Sequence, residues 1–174
     1  MNIASNHNIV GGGTPVIVIF GPTAVGKTAL LLQLKNEIPA FKVINADAFQ
    51  VYRHCDIATA KPSPELRNEI PHFFLDLLDP REQSNAGFFV HQADSYIPGI
   101  IREGTIPIVC GGTAFYLSNF LFGLPETPPA NKRIRKVLEK EVSERGIQAL
   151  RRELQQIDPQ AAEKIHPNDQ YRLL

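Results

Sequence analysis

The chain has 174 residues, enough for one well-packed domain with a small appendage. Its 18 basic and 18 acidic side chains balance, so net charge does not indicate a polyanionic partner, and 43% hydrophobic residues is ordinary for a globular protein. No apolar run approaches membrane-spanning length, which predicts no membrane partner, and the isolated cysteines, Cys55 and Cys110, predict reduced thiols in a cytoplasmic protein.

Residues 1–14 lack the basic n-region and the long apolar core of a signal peptide, so we expect them to form a flexible leader. The apolar, β-branched run 16–20 that follows predicts a buried strand. It leads directly into the spacing Gly21-x-x-x-x-Gly26-Lys27-Thr28, after which residues 29–34 have the pattern of a helix. A strand, a glycine-rich turn and a helix in this order are typical of a P-loop, which binds a di- or triphosphate.

The residue types of this P-loop suit phosphate chemistry. Glycines allow the backbone to turn tightly and to bring its N–H groups against phosphate oxygens, and the helix N-terminus adds partial positive charge. Lys27 adds a full charge, and the Thr28 hydroxyl can hold Mg²⁺. The alternative is an ordinary glycine turn with an exposed lysine. We expect the phosphates to contact Gly21, Pro22, Thr23, Ala24, Val25, Gly26, Lys27 and Thr28.

Strands and helices alternate after the P-loop. The first helix is expected to end near Pro39, and a later helix to kink or break at Pro98. A rigid, extended loop is predicted through the two prolines of residues 59–64. The patterns predict strands at 41–44, 73–78 and 106–110 and helices at 86–102 and 115–122.

This alternation predicts an α/β fold for residues 15–124: a P-loop NTPase-like parallel sheet with helices on both faces. In such sheets, ligands gather beyond the carboxyl ends of the strands. Asp47, Asp79 and Thr113 all follow predicted strands, so we expect them on the same side of the sheet as the P-loop.

The composition changes after Leu124. Residues 124–129 are typical of a linker, and helical spacing follows in 134–142 and 147–157. Asp158-Pro159 and Asn168-Asp169 predict two further helix starts by capping and proline placement. We therefore expect residues 125–174 to begin a small all-helical insertion subdomain that is incomplete at its C-terminus, because its fourth helix has barely begun at Leu174.

Further motifs occur in series along the chain. They are Asp47-Ala48-Phe49-Gln50-Val51-Tyr52-Arg53, Asp56-Ile57-Ala58-Thr59-Ala60-Lys61-Pro62, Ile70-Pro71-His72, Leu75-Asp76-Leu77-Leu78-Asp79-Pro80, Gly111-Gly112-Thr113 with Tyr116-Leu117, and His166-Pro167-Asn168-Asp169 with Arg172. Together with the P-loop they closely resemble, in order and spacing, the motifs of the tRNA dimethylallyltransferase family over residues 16–174. Several ungapped motifs in series are more specific than any one of them.

The resemblance implies transfer of a dimethylallyl group from its diphosphate to N6 of the adenine on the 3′ side of the tRNA anticodon. An exocyclic adenine amine is a poor nucleophile and needs a base, a role that the resemblance assigns to Asp47. Lys27 and Thr28, with Mg²⁺ as cofactor, would stabilise charge on the departing pyrophosphate. The tRNA-binding residues implied are Asp47, Ala48, Phe49, Gln50, Thr113 and Arg135. The partners are then tRNA and dimethylallyl diphosphate, and a monomer is expected.

The residues themselves leave a plainer role open at each position. Asp47 also suits an N-cap or a carboxylate that bridges to Mg²⁺, and Thr113 also suits a helix N-cap. Gln50, expected to contact the adenine edge, is otherwise a solvated loop glutamine. Arg135 belongs to a basic run that is typical of a solvated helix face or of phosphate contacts.

Acidic and imidazole side chains elsewhere give weaker signals. Asp76 and Asp79 are either further Mg²⁺ ligands or, as we favour, turn and cap residues. The histidines lack the spacing of metal ligands, so no zinc site is predicted.

Two other functions remain open from the sequence. An isopentenyltransferase that acts on free adenine nucleotides needs the same base and P-loop but no tRNA-gripping subdomain. A small-molecule kinase would bind ATP at the P-loop and would leave Asp47 and Gln50 without a role.

Overall fold

The computed structural model describes residues 15–124 and 131–174. The chain divides into two compact units, Met1–Pro125 and Glu126–Leu174. The leader predicted for residues 1–14 lies outside the described residues, and so does the linker predicted for 124–129 apart from Leu124. In the part of the chain that is described, no helix is long and apolar enough to cross a membrane.

The first unit is built on a parallel sheet. Its described elements, in chain order, are β1 (Ile17–Phe20), α1 (Lys27–Glu37), β2 (Phe41–Asn45), α2 (Pro64–Glu69), β3 (His72–Phe73), α3 (Ala86–Arg102), β4 (Ile106–Gly111) and α4 (Ala114–Phe122). The strand order is β1-β4-β2-β3, with every pair parallel. The register aligns Cys110 of β4 with Ile19 of β1 and with Asn45 of β2. The carboxyl ends of these three strands therefore form one edge.

Helices cover both faces of the sheet, as the alternation predicts. One apolar cluster lies on the α1 and α2 side and contains the buried residues Leu31, Val43, Ile70 and Ile108. A larger cluster joins the other face to α3 and α4, where the rings of Phe89 and Tyr116 stack with centroids 5.0 Å apart. The strands are apolar on both faces because both faces are buried.

The strand predicted at residues 73–78 is wrong beyond its first residue, since β3 is only His72–Phe73. Phe74 and Asp76 have φ angles of 62° and 54°, a left-handed conformation that ends a strand. The Phe74 ring is buried edge-on against Phe89, and this contact accounts for the turn of the chain away from the sheet. The apolar residues of 74–78 therefore cover the core and do not extend β3.

The segment predicted as a loop through residue 64 contains the start of a helix that the sequence reasoning missed. α2 begins at Pro64, and the Ser63 hydroxyl accepts a hydrogen bond from Leu66 N at 3.3 Å. Ser63 at the N-cap, Pro64 at the first helical position and Glu65 in the first turn are the signals that would have identified it. The break considered at Pro98 is absent, because α3 continues through that residue.

The second unit is helical where it is described. It contains α5 (Lys132–Arg145), α6 (Ile147–Ile157), α7 (Pro159–Lys164) and α8 (Gln170–Leu173). Asp158 and Asp169 cap α7 and α8 through hydrogen bonds from Ala161 N and Arg172 N, so the two predicted helix starts are confirmed. Arg151 joins α6 to α7, since its guanidinium donates to the carbonyls of Ala162 and Ile165.

Gly111 limits how the ends of β2 and β4 pack. A Cβ at this position would lie 2.0 Å from the Ala46 carbonyl oxygen, so Gly111→Ala must displace backbone. We expect it to lower the free energy of unfolding by at least about 2 kcal/mol in urea titrations. Gly99→Ala is the matched control, because its Cβ meets nothing within 4 Å on α3. This control should be neutral or stabilise by up to about 1 kcal/mol, and equal effects of the two substitutions would contradict the packing constraint.

Candidate active site

The turn from β1 to α1 leaves helix N–H groups without partners among the residues that the structure describes. It reaches α1 with φ angles of 65° at Ala24 and 98° at Gly26, and only glycine adopts the second at little cost. The first intrahelical bond of α1 is donated by Leu30 N to Gly26 O at 2.9 Å. The N–H groups of the first turn before it have no side-chain cap and no acidic neighbour. Such groups, with the helix dipole, suit an anion.

Lys27 curves back over this turn. Its ammonium donates to the Gly21 and Pro22 carbonyl oxygens, both at 2.8 Å. An ammonium has three N–H donors, so one remains for a ligand oxygen. The positive charge is therefore held at the mouth of the loop.

A cavity of about 410 Å³ opens beside the P-loop. Of the predicted site residues, it is lined by Thr23, Ala24, Gly26, Lys27, Thr28, Asp47 and Gln50. Gly21, Pro22, Val25, Ala48, Phe49 and Thr113 are not among its lining residues. The structure thus places Lys27, Thr28 and Asp47 on the wall of one cavity. These are the predicted phosphate-binding lysine, Mg²⁺ ligand and base.

Asp47 uses its two carboxylate oxygens differently. Oδ1 accepts hydrogen bonds from Phe49 N at 2.9 Å and Gln50 N at 3.2 Å, so this oxygen caps the turn that follows β2. No described residue donates a hydrogen bond to Oδ2. The sequence left open a helix N-cap at Asp47, but the residues that follow form a turn and not a helix, and the carboxylate that caps this turn keeps one oxygen available for chemistry.

Thr113 connects the turn after β4 to the Asp47 turn. Its hydroxyl accepts a hydrogen bond from Ala48 N at 3.0 Å, and its own N–H donates to Ala46 O at 3.2 Å. It occupies the N-cap position of α4, yet its side chain makes no capping hydrogen bond there. Thr113 is thus the N-cap residue of α4 by position, as the alternative considered from the sequence has it, while its hydroxyl serves the neighbouring loop.

The Gln50 side chain is held by hydrogen bonds to the protein, so the alternative of a solvated side chain is wrong. Its amide nitrogen donates to the carbonyl oxygens of Thr59 at 2.8 Å and Ala60 at 3.3 Å. Phe49, two residues beyond Asp47, has 67% of its surface exposed.

Sequence reasoning missed Asn45, the last residue of β2. It is 7% exposed and lines the cavity, and its Nδ2 is buried without a hydrogen-bond partner among the described residues. Buried donors are nearly always paired, so an unpaired one in a cavity wall suits a ligand oxygen. In the sequence, the only feature that could have identified Asn45 is a single amide side chain at the end of an apolar strand.

His72 and Cys110 also line the cavity and were not predicted there. His72 Nδ1 lies 2.6 Å from Ile70 O and must donate to it, and burial lowers the pKa of the ring. The imidazole is therefore neutral at pH 7, with Nε2 as an acceptor. Burial raises the pKa of the Cys110 thiol to about 11, so it stays protonated and unreactive at neutral pH.

The acidic residues after β3 are engaged elsewhere. Asp76 accepts from Lys61 and Arg67, and these bonds outweigh burial and lower its pKa. Asp79 Oδ1 accepts from Arg81 N at 3.0 Å, as a turn residue does. Neither lines the cavity, and within residues 15–124 and 131–174 no three His, Cys, Asp or Glu side chains group to hold a metal ion.

Arg135 lies in the second unit, on α5. Its Nε is 3.3 Å from Glu139 Oε1, and its guanidinium lies 4.9 Å from the centroid of the Tyr171 ring. It is therefore a partly fixed cation rather than a freely solvated one.

The family model described as IPP transferase matches residues 50–174. The chain is 42% identical over 160 residues to a tRNA dimethylallyltransferase of Desulfotalea psychrophila, covering 92% of this chain and 51% of that protein. It is 44% identical over 162 residues to the tRNA dimethylallyltransferase of a Thermotoga species, covering 91% and 52%. The chain thus spans about half the length of the curated relatives it matches.

Solved structures give the same picture. A full-length tRNA isopentenylpyrophosphate transferase of Bacillus halodurans is 36% identical, with a TM-score of 0.62, covering 92% of this chain and 53% of that one. A eukaryotic dimethylallyltransferase acting on tRNA is 32% identical, with a TM-score of 0.75, covering 92% and 40%. Their folds support the assignment of a P-loop NTPase-like sheet.

Thr113→Val tests the link between the two turns. It removes the acceptor of the Ala48 N–H, so exchange of that amide with solvent should accelerate at least tenfold, and unfolding should cost about 1 kcal/mol less. Thr113→Ser keeps the hydroxyl and is the matched control. Hydrogen exchange followed by NMR measures both, and unchanged protection of Ala48 in Thr113→Val would contradict the hydrogen bond.

Proposed function

The chain belongs to the IPP transferase family, and on that premise we propose that it transfers a dimethylallyl group from dimethylallyl diphosphate to N6 of the adenine 3′ to the anticodon in tRNA. The product is N6-isopentenyladenosine. The names of its relatives support this reaction, and the activity, substrates and partners of the whole protein are part of the proposal. The observation that carries it is one cavity that holds Lys27, Thr28 and Asp47 together.

The P-loop binds the diphosphate in this proposal. The unpaired N–H groups at the start of α1 and the remaining Lys27 donor face the phosphate oxygens. Because these donors are fixed before the reaction, they stabilise the negative charge that develops on the leaving pyrophosphate. No nucleotide is hydrolysed.

Thr28 is the residue that would hold Mg²⁺. Its hydroxyl is a hard oxygen ligand in the cavity wall, and Mg²⁺ takes its other ligands from water and substrate phosphates. This donor set fits the ion, which when bound would neutralise charge on the diphosphate.

Asp47 acts as the base. As the N6 nitrogen forms its bond to the allylic C1, the bond from C1 to the diphosphate oxygen breaks, and the electron pair leaves with pyrophosphate. The N6 proton passes to Asp47 Oδ2, the oxygen that no described residue occupies. Oδ1 keeps the carboxylate oriented through its two backbone hydrogen bonds.

The tRNA contacts belong to the loops around the cavity and to the second unit. Phe49 exposes an aromatic face on which a splayed base can stack, next to Ala48, Gln50 and Thr113. Arg135 suits a backbone phosphate. We further propose that the protein acts as a cytoplasmic monomer.

Lys27→Met tests the diphosphate site. Loss of a charge-assisted donor should weaken binding of pyrophosphate with Mg²⁺ by about 10- to 100-fold in isothermal titration calorimetry. Lys35→Met is the matched control on the same helix, because Lys35 pairs at the surface with Glu69 at 3.2 Å. If Lys27→Met and the parent protein bind pyrophosphate with equal affinity, Lys27 does not contact the diphosphate.

Asp47→Asn tests the base and separates it from the cap. Asparagine keeps Oδ1 as an acceptor for the turn but cannot take a proton, so transfer to an anticodon stem-loop should slow by about 10² to 10⁴. Pyrophosphate affinity should stay within twofold of the parent. Mass spectrometry of prenylated nucleosides measures the effect. The samples are RNA treated with the whole gene product and tRNA from a deletion strain complemented with it.

Retained transfer in Asp47→Asn would exclude the base role. Transfer to AMP but not to RNA would favour a free-nucleotide acceptor, and phosphoryl transfer from ATP would favour a kinase.

A further inference from the structure

Lys61 is a buried cation whose donors are all used. Its side chain is 1% exposed, and its ammonium contacts the Tyr52 carbonyl oxygen, Asp56 Oδ1 and Asp76 Oδ1, each at 2.7 Å. Three acceptors saturate the three N–H donors of an ammonium. A lysine held in this way fixes the chain on either side of it, since releasing any partner leaves a buried charge unpaired.

A second cation extends the cluster. Arg67 donates to the other Asp76 oxygen, Oδ2, at 2.6 Å and to the Pro62 carbonyl oxygen at 2.8 Å. We call Lys61, Asp56, Asp76 and Arg67 the Lys61 cluster. It holds both ends of the segment 56–62, which is also closed by the bond from Lys61 N to Asp56 O at 3.2 Å.

The segment held by the Lys61 cluster supplies the two carbonyl oxygens that bind Gln50. Thr59 O and Ala60 O lie 2.8 and 3.3 Å from the Gln50 amide nitrogen. Only the NH₂ end of an amide can donate to two carbonyls, so these contacts fix which end of the amide faces the segment. No described residue donates to the opposite end, Oε1, and Gln50 lines the cavity together with Asp47.

We infer that Lys61 is a positioning residue for base selection: through segment 56–62 it fixes Gln50 as a hydrogen-bond acceptor only. The site then offers two acceptors, Asp47 Oδ2 and Gln50 Oε1, which match the two hydrogens of an exocyclic amine. This inference rests on the proposed function. The sequence predicted that the Gln50 amide contacts the adenine edge through both its donor and its acceptor. Here Gln50 offers the base an acceptor only, because its NH₂ group already donates to Thr59 O and Ala60 O.

The chemistry of the reaction gives the two acceptors separate roles. Prenyl transfer removes one N6 hydrogen and leaves the other on the product. Asp47 takes the hydrogen that leaves, and Gln50 holds the one that stays. A base with a carbonyl at the same position, such as hypoxanthine, would place an oxygen against both acceptors and be rejected.

Lys61→Met in the whole gene product is the test. With the segment released, the Gln50 amide can turn and donate to a carbonyl, so selection for the amine should decline. We expect the affinity ratio between anticodon stem-loops carrying adenosine and inosine at the target position to fall at least tenfold. Lys42→Met is the matched control, because Lys42 is also ion-paired, with Glu103, but forms no hydrogen bond or ion pair with segment 56–62.

A second measurement needs no substrate. In protein labelled with ¹⁵N-glutamine, the Gln50 side-chain amide, assigned by its loss in Gln50→Leu, should show slowed exchange in the parent and in Lys42→Met. That protection should disappear in Lys61→Met. Protection that persists, or an unchanged adenosine-to-inosine ratio in a folded Lys61→Met, would overturn the inference.

If Lys61→Met does not fold, the same two measurements on Arg67→Met test the inference. This variant frees the Pro62 carbonyl but leaves Lys61 paired with Asp56 and Asp76, and it should lower the ratio about threefold and partly release the Gln50 amide. No change in either readout would overturn the inference. If the parent binds neither stem-loop, the proposed function and base selection fail together, and the NMR result alone decides the positioning role.

Discussion

The carboxyl edge of the sheet depends on the close approach of β4 to the residue that follows β2. Gly111 leaves no room for a side chain against the Ala46 carbonyl, and Ala46 N donates to Cys110 O at 2.8 Å across the same edge. The Ala46 carbonyl also accepts from Thr113 N, so the turns after the two strands start from one anchored point. Gly21 N donates to Gly111 O, which brings the P-loop to the same edge. Backbone contacts therefore hold the P-loop and the turns after β2 and β4 at this edge.

Side chains then orient the groups that face the cavity. Asp47 divides its oxygens between the turn and the open space, and the Thr113 hydroxyl holds the turn from the other side. Lys61 orders the loop that binds Gln50. The Asp47 turn and the Gln50 amide are thus each held by neighbouring groups, and such support limits the reorganisation needed during a reaction.

Local sequence signals predicted most elements that depend on local physics, with α2 and its Ser63 cap as the exception, and they failed where distant contacts decide. The P-loop and the caps Asp158 and Asp169 were identified because the relevant residues are adjacent in sequence. The end of β3 was missed because Phe74 leaves the sheet to pack on α3, a contact that no short pattern encodes. The partners of Gln50 and Thr113 lie 9 and 65 residues away, so only the fold reveals which atoms remain available.

The Asn45 Nδ2 group, which has no hydrogen-bond partner within residues 15–124 and 131–174, has a thermodynamic consequence. A buried donor without a partner costs about 1–3 kcal/mol of folding free energy, which an apolar side chain of the same shape would avoid. A ligand whose oxygen accepts this hydrogen bond recovers that cost, so binding in the cavity and the stability of β2 are linked quantities. A ligand that pairs with Asn45 should therefore raise the free energy of unfolding of the unit that contains β2.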